Sequence, residues 1–177
     1  ADGSVNYNKL EELIDFQCNN GTDSIVIVGT TGEASTLTHE EHIECIRYAV
    51  QKTAKRIPVV AGTGSNCTET AIYLTKEAQK AGADGALVVT PYYNKATQKG
   101  LIKMFYAIAD ASTKPIILYN VPSRTGVNIE PATYAALAEH PMIQGIKEAN
   151  GQIDKITETM ALCGDKLDLY SGNDDQI

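Results

Sequence analysis

The sequence predicts an α/β protein built on a parallel sheet, and three observations carry that prediction. Short apolar runs alternate with helix-patterned segments along the chain. The runs are continuous rather than alternating, as expected of strands covered on both faces. They recur roughly every 25 to 35 residues, one β/α unit each time.

The elements follow in order. Residues 6–20 carry Leu10, Leu13, Ile14 and Gln17 at helical spacing and stop at Gly21. SIVIVG (24–29) is the first strand. Thr38 and Glu41 read as a capping box, with Thr38 as N-cap of a helix running to about Lys55. IPVVAG (57–62) is the second strand, followed by a helix over 68–80 that ends before Gly82. DGALVVTP (84–91) and a helix over 98–111 come next, then KPIILYN (114–120) and a helix over 131–139. MIQGIKEA (142–149), a helix over 153–162 and KLDLYSG (166–172) complete the series. Six strands result, each preceded by a helix. No linker rich in Pro, Ser or charge divides residues 1–177, so a single domain is expected.

An open doubly wound sheet and a closed (β/α)8 barrel both fit this alternation. GTTGE (29–33) and GTGSN (62–66) match neither the dinucleotide fingerprint nor the P-loop, so GTG reads as a tight turn rather than a phosphate cradle. A TIM barrel takes about 250 residues. Six strands in 177 residues have a barrel's density and lack two units.

Composition excludes several functions. A formal charge of −7 gives no cationic face for nucleic acid and no polybasic patch for anionic lipid. No apolar run approaches the roughly 20 residues that span a bilayer, and the first residues lack the basic and apolar regions of a signal peptide. Cys18, Cys45, Cys67 and Cys163 form no C-x-x-C pair and read as reduced thiols, which makes a cytoplasmic location the expectation. His39 and His42 open a helix with no third ligand near them in sequence, so no metal site is expected.

In barrels the chemistry collects at the C-terminal strand ends. There the sequence places Thr30 and Thr31, then Thr90, Tyr92 and Tyr93, then Tyr119, Asn120 and Arg124, then Lys147, and last Ser171, Gly172 and Asn173. Period two puts Ile143, Gly145 and Lys147 on one strand face, with Gln144 and Ile146 on the other. A lysine facing a barrel interior loses solvation of its charge, and its pKa should fall. An ordinary lysine, pKa about 10.4, is neutral in only roughly one molecule in 2,500 at pH 7, and each unit of depression multiplies that fraction about tenfold. Schiff-base chemistry needs that neutral amine. The competing reading is a lysine that snorkels off the strand end to pair with Glu148. Tyr119 can pass a proton, or can be a core tyrosine with a satisfied hydroxyl. Arg124, between Pro122 and Gly126, suits a fork for a carboxylate, or is a solvated loop cation. Thr30 and Thr31 offer hydroxyls and N–H groups for an oxyanion, or ordinary turn hydrogen bonds.

GTTGE (29–33), AGTG (61–64), TPYYN (90–94), YNVPSRTG (119–126), GIKEA (145–149) and SGND (171–174) together resemble the dihydrodipicolinate synthase family of Schiff-base pyruvate lyases, in order along essentially the whole chain. The SRTG setting of Arg124 separates it from sialic acid and keto-deoxy sugar acid lyases, the alternative activities. The resemblance implies that Lys147 forms an imine with pyruvate and that Tyr119 relays protons. It implies that Thr30 hydrogen-bonds Tyr119 and that Tyr93 completes this triad from a neighbouring subunit. Thr31 would hold the pyruvate carboxylate, Arg124 the carboxylate of L-aspartate 4-semialdehyde, and Gly172 would line the site. The implied reaction opens the diaminopimelate route to lysine, uses no metal or organic cofactor, and belongs to a homodimer or homotetramer.

Two departures shape the expectations. Against the family pattern the chain holds strands two to seven, without strands one and eight and the C-terminal helices, so a truncated barrel with two open edges and little or no activity on its own is expected. A non-catalytic barrel fragment is the corresponding alternative. The lysine-feedback site of inhibited members resembles Ser35, His39, His42, Asn66 and Tyr92, but Thr70 stands where those members carry an acid, so weak lysine inhibition is expected.

Overall fold

The computed structural model describes residues 3–175. Its order is α1 (Tyr7–Asn19), β1 (Ile25–Ile27), α2 (His39–Thr53), β2 (Val59–Gly62), α3 (Thr68–Lys80), β3 (Gly85–Val89), α4 (Gln98–Asp110), β4 (Ile116–Asn120), α5 (Pro122–Thr125), α6 (Pro131–Leu137), β5 (Ile143–Glu148), α7 (Ile153–Cys163) and β6 (Asp168–Ser171). Six parallel strands pair in sequence order, β1 to β6, so every crossover joins neighbours. The sheet curls, with its helices on one side, into an incomplete (β/α)8 barrel. The expected capping box exists: Thr38 accepts from the Glu41 N–H, and Glu41 accepts from the Thr38 N–H.

Two apolar clusters fill the space between sheet and helices. Ile14, Ile27, Ile46, Val59 and Ala78 pack under α1, α2 and α3, and Val88, Phe105, Leu118, Leu137 and Ile146 pack under α4, α6 and α7. The expectation that strands are buried on both faces holds for β2 and β3, whose consecutive residues are buried, and needs correction for β4 and β6. β4 alternates, with Ile116, Leu118 and Asn120 buried and Ile117 and Tyr119 half-buried, and β6 is exposed throughout. Helices cover only the outer face; the inner face lines a hollow. Along β4 that hollow leaves Ile117 and Tyr119 only half-buried.

Strict alternation along β5 also fails. Ile143 joins Ile146 in the helix-side cluster, while Gly145 and Lys147 face the other way. The cause is a register shift: Ile116 pairs with Ile143 but Ile117 pairs with Gly145, leaving Gln144 as an extra residue. Such a bulge resets the parity of everything after it.

GTG is not a tight turn. Gly62 and Gly64 are absent from the positive-φ residues. A Cβ at Gly62 would lie 2.4 Å from the Val28 carbonyl oxygen, and one at Gly64 would lie 2.4 Å from the Val89 nitrogen. These glycines let the ends of β1 and β3 close against the end of β2. Gly64→Ala should therefore cost about 3 kcal/mol of stability, since the obstructing atom is backbone and cannot rotate away; urea unfolding of the variant checks this.

Candidate functional site

The β4–β5 register sets Tyr119 directly beside Lys147, and Tyr170 of β6 beside Lys147 on its other flank. The Lys147 ammonium nitrogen lies 4.5 Å from the centre of the Tyr119 ring. Gly172 follows β6, where a Cβ would sit 3.3 Å from the Lys147 Cε and 2.9 Å from the Ala149 Cβ. Its missing side chain is what lets the lysine stem pass. The Gly172 N–H donates to the Glu148 carbonyl at 2.7 Å, tying the strand end that carries Gly172 to the one that carries Lys147.

Arg124 stands on α5, a single turn rather than the expected loop. Pro122 takes its first position, where a missing N–H costs nothing, and Gly126 closes it at φ 74°. Buried Thr125 fixes the turn by donating to the Val121 and Val127 carbonyls. The guanidinium is close enough to act on both neighbours. Burial pushes the Lys147 pKa down, Arg124 pushes it further down, and Asp174 opposes both. Burial pushes the Tyr119 pKa up, while Arg124 pulls it back. Lys147 is thus a weaker base than an ordinary lysine and Tyr119 a weaker acid than an ordinary tyrosine, so both shifts favour a neutral amine beside a neutral phenol.

Lys147 does not pair with Glu148, the competing reading of the sequence. Glu148 points to the helix side and is bound there by Asn120 and Tyr134. The other expected residues lie further out. Thr30 and Thr31 sit exposed in a 3-10 turn after β1, and among the described residues no hydrogen bond joins Thr30 to Tyr119. That turn follows Val28 at φ 50°, an uncommon conformation for a β-branched residue, of the kind that clusters at functional sites. Tyr93 is 91% exposed with φ 73°, its N–H fastened to the Thr125 carbonyl at 3.1 Å, so the Arg124 turn and the Tyr93 turn are joined. Thr90, expected on the rim, is fully buried.

The remaining candidates occupy the loops after β1, β2 and β3 and the first turn of α2. Ser35 is exposed in a second 3-10 turn, and His39 packs its ring 6.0 Å from that of Tyr73. His42 is buried against the Gly62 carbonyl at 2.7 Å, with its pKa lowered by burial. Asn94 donates to the Asn66 carbonyl at 2.8 Å, joining the loop of Asn66 to that of Tyr92, which is exposed. Among the described residues, no three His, Cys, Asp or Glu side chains gather as a metal site, and no helix is long and apolar enough to cross a membrane.

Sequence reasoning missed Tyr170, Asp174 and Tyr134, and it expected Asn120 on the rim, where the structure instead buries it on the helix side against Glu148. Register alone reveals Tyr170. For Glu148 and Asn120 a signal existed: each is a polar residue at a helix-facing position of an apolar strand, next in sequence to a candidate catalytic group.

Fold and site together define a β/α-barrel protein with an amine, a phenol and a guanidinium gathered at the C-terminal strand ends. The chain belongs to the dihydrodipicolinate synthetase family, whose model matches residues 1–177. It is 67% identical over 174 residues to a 4-hydroxy-tetrahydrodipicolinate synthase of Lachnoclostridium phytofermentans, covering 98% of this chain and 59% of that protein. The dihydrodipicolinate synthase structure from Aquifex aeolicus superposes with TM-score 0.96 at 48% identity, over 98% of this chain and 60% of that one. The chloride-inhibited dihydrodipicolinate synthase from Acinetobacter baumannii, solved with pyruvate, gives TM-score 0.96 at 50% identity, over 98% and 60%. The chain thus spans about 60% of the length of the relatives it matches.

Burial lowers the Lys147 pKa in the fold below its ordinary unfolded value. Between its depressed pKa and the ordinary lysine value the unfolded chain binds the extra proton, so stability rises with pH there. Lys147→Met should therefore be more stable than the parent at pH 7, with the gain fading as pH nears about 10.4. Denaturant midpoints of both proteins across that range provide the check.

Proposed function

We propose that this chain supplies the amine, proton relay and carboxylate clamp of 4-hydroxy-tetrahydrodipicolinate synthase, which condenses pyruvate with L-aspartate 4-semialdehyde. The observation that carries the reading is the Lys147 amine, half-buried 4.5 Å from the centre of the Tyr119 ring and within the electrostatic reach of Arg124. Family membership and the pyruvate complex of a similar enzyme support it.

The chemistry follows from these groups. The Lys147 lone pair attacks C2 of pyruvate, the resulting hydroxyl takes a proton through Tyr119 and leaves as water, and an imine remains. Loss of a proton from C3 gives the enamine. That carbon attacks the aldehyde of the second substrate, whose oxygen takes a proton from Tyr119. The amine of the second substrate then adds to the imine carbon and expels the Lys147 amine, closing the ring. Arg124 offers paired N–H donors to the carboxylate of the incoming aldehyde. Thr31 holds the pyruvate carboxylate, Gly172 lines the site, and Thr30 joins Tyr119 once the site is filled. The imine needs no metal or organic cofactor.

Tyr93 belongs to a neighbouring subunit's site in a dimer or tetramer, a role supported by its outward ring. The enzyme works in the cytoplasm. With Thr70 in place of an acid beside Cys67 at the start of α3, the loops carrying Ser35, Asn66 and Tyr92 and the first turn of α2 carrying His39 and His42 hold lysine weakly.

Borohydride treatment with pyruvate should fix a reduced pyruvyl group on Lys147, read by peptide mass. Lys147→Met should abolish capture, and Tyr119→Phe should slow it about 100-fold. Arg124→Ala should raise KM for aspartate semialdehyde roughly 30-fold while pyruvate capture changes only a few-fold. Turnover with sugar aldehydes in preference to aspartate semialdehyde would assign another pyruvate aldolase instead.

A further inference from the structure

We propose that Glu148, with Asn120 and Tyr134, forms a polar knot on the helix side of the sheet that aims Lys147, Tyr119 and Arg124 on the other side. The proposal rests on the function given above and makes these three positioning residues of that reaction.

Glu148 is 5% exposed and Asn120 is fully buried. One carboxylate gathers four donor groups. The Tyr134 hydroxyl donates to Oε2 at 2.8 Å, and the Ala149 and Asn150 N–H groups donate to Oε1 at 2.9 Å each. The Asn120 amide lies 3.0 and 3.1 Å from the two oxygens. Asn120 also donates to Asn128 Oδ1 at 2.7 Å and accepts from the Ile129 N–H at 3.3 Å.

Stability does not account for this arrangement. A buried ionisable group is costly to desolvate, and apolar residues of the same volume commonly do as well or better. Burial pushes the Glu148 pKa up, while the surrounding donors pull against that shift. Function accounts for it better, because each partner belongs to a segment that carries a reacting group. Ala149 and Asn150 are the backbone just past Lys147. Asn120 follows Tyr119. Asn128 and Ile129 are the far end of the segment that carries Arg124. Tyr134 fastens the whole to α6. The carboxylate acts through position rather than charge, since the charges that move the Lys147 pKa are Arg124 and Asp174, not Glu148. The knot therefore holds amine, phenol and guanidinium in one frame while leaving the hollow free of its own polar groups.

A purely structural knot would alter stability without altering the lysine. A positioning knot sets how far Lys147 sits from solvent, from the Tyr119 ring, from Arg124 of α5, from Tyr170 of β6 and from Asp174 after it. The pH profile of imine capture reads that directly. Glu148→Gln sets an amide nitrogen among donors and breaks the knot. Tyr134→Phe removes one donor and keeps the packing. In the enzyme containing this chain, borohydride capture of pyruvate at pH 7 should fall about tenfold in Glu148→Gln, with the midpoint of its pH profile moved upward. Tyr134→Phe should move both readouts the same way, about threefold in rate. Should Glu148→Gln fail to fold, Tyr134→Phe decides alone. Unchanged pH profiles with only a lowered Tm would overturn the proposal. Failure of the unsubstituted protein to capture pyruvate at all would instead overturn the proposed function, and this assignment with it.

Discussion

The parallel pairing of β4 with β5, one residue out of step at its start, decides which face of the sheet Tyr119 and Lys147 occupy. Ile143 belongs to the helix-side core. Continued alternation from it would send Lys147 into that core and turn Glu148 into the hollow. The extra Gln144 reverses this, and from Gly145 onward the strands run level, Tyr119 with Lys147 and Asn120 with Glu148. Two rows result from one register. The inner row carries a phenol and an amine; the outer row carries an amide and a carboxylate that bond to each other.

The inner row works because its environment is half dry. Lys147 is neither deep enough to be locked away nor open enough to be an ordinary surface cation. Burial is the leading cause of its depressed pKa, and the nearby guanidinium adds to it. The face of the Tyr119 ring, 4.5 Å from the nitrogen, favours the protonated form and so opposes the effect of burial. Arg124 serves twice, lowering the affinity of Lys147 for a proton and stabilising the Tyr119 phenolate. One cation on one short turn thus lowers the pKa of both neighbours.

Much of this was legible in the residues. The order of helices and strands followed from apolar runs and caps, because helices at each crossover impose their own periodicity. Lys147, Tyr119 and Arg124 stood out because polar groups at the ends of apolar strands have no packing role. The Thr38 capping box was readable since it is local. The Gln144 bulge was not, because it arises between two strands far apart in sequence and leaves no mark in either. The reason for Gly62 and Gly64 was hidden for the same cause: each makes room for a neighbouring strand. The one-sided cover of the sheet escaped notice because an apolar strand reads alike whether its second face meets helices or a hollow. Tyr93 and Thr30 were named by motif, and both are exposed in the structure.

The account stands or falls on the protonation of one nitrogen. Titration of Lys147 by NMR, with its ε-carbon labelled and its signal assigned by loss in Lys147→Met, measures this without any substrate. A midpoint clearly below that of the surface lysines is the predicted result. A midpoint equal to theirs or above it would mean a solvated cation, and the β4–β5 frame would then have no catalytic consequence.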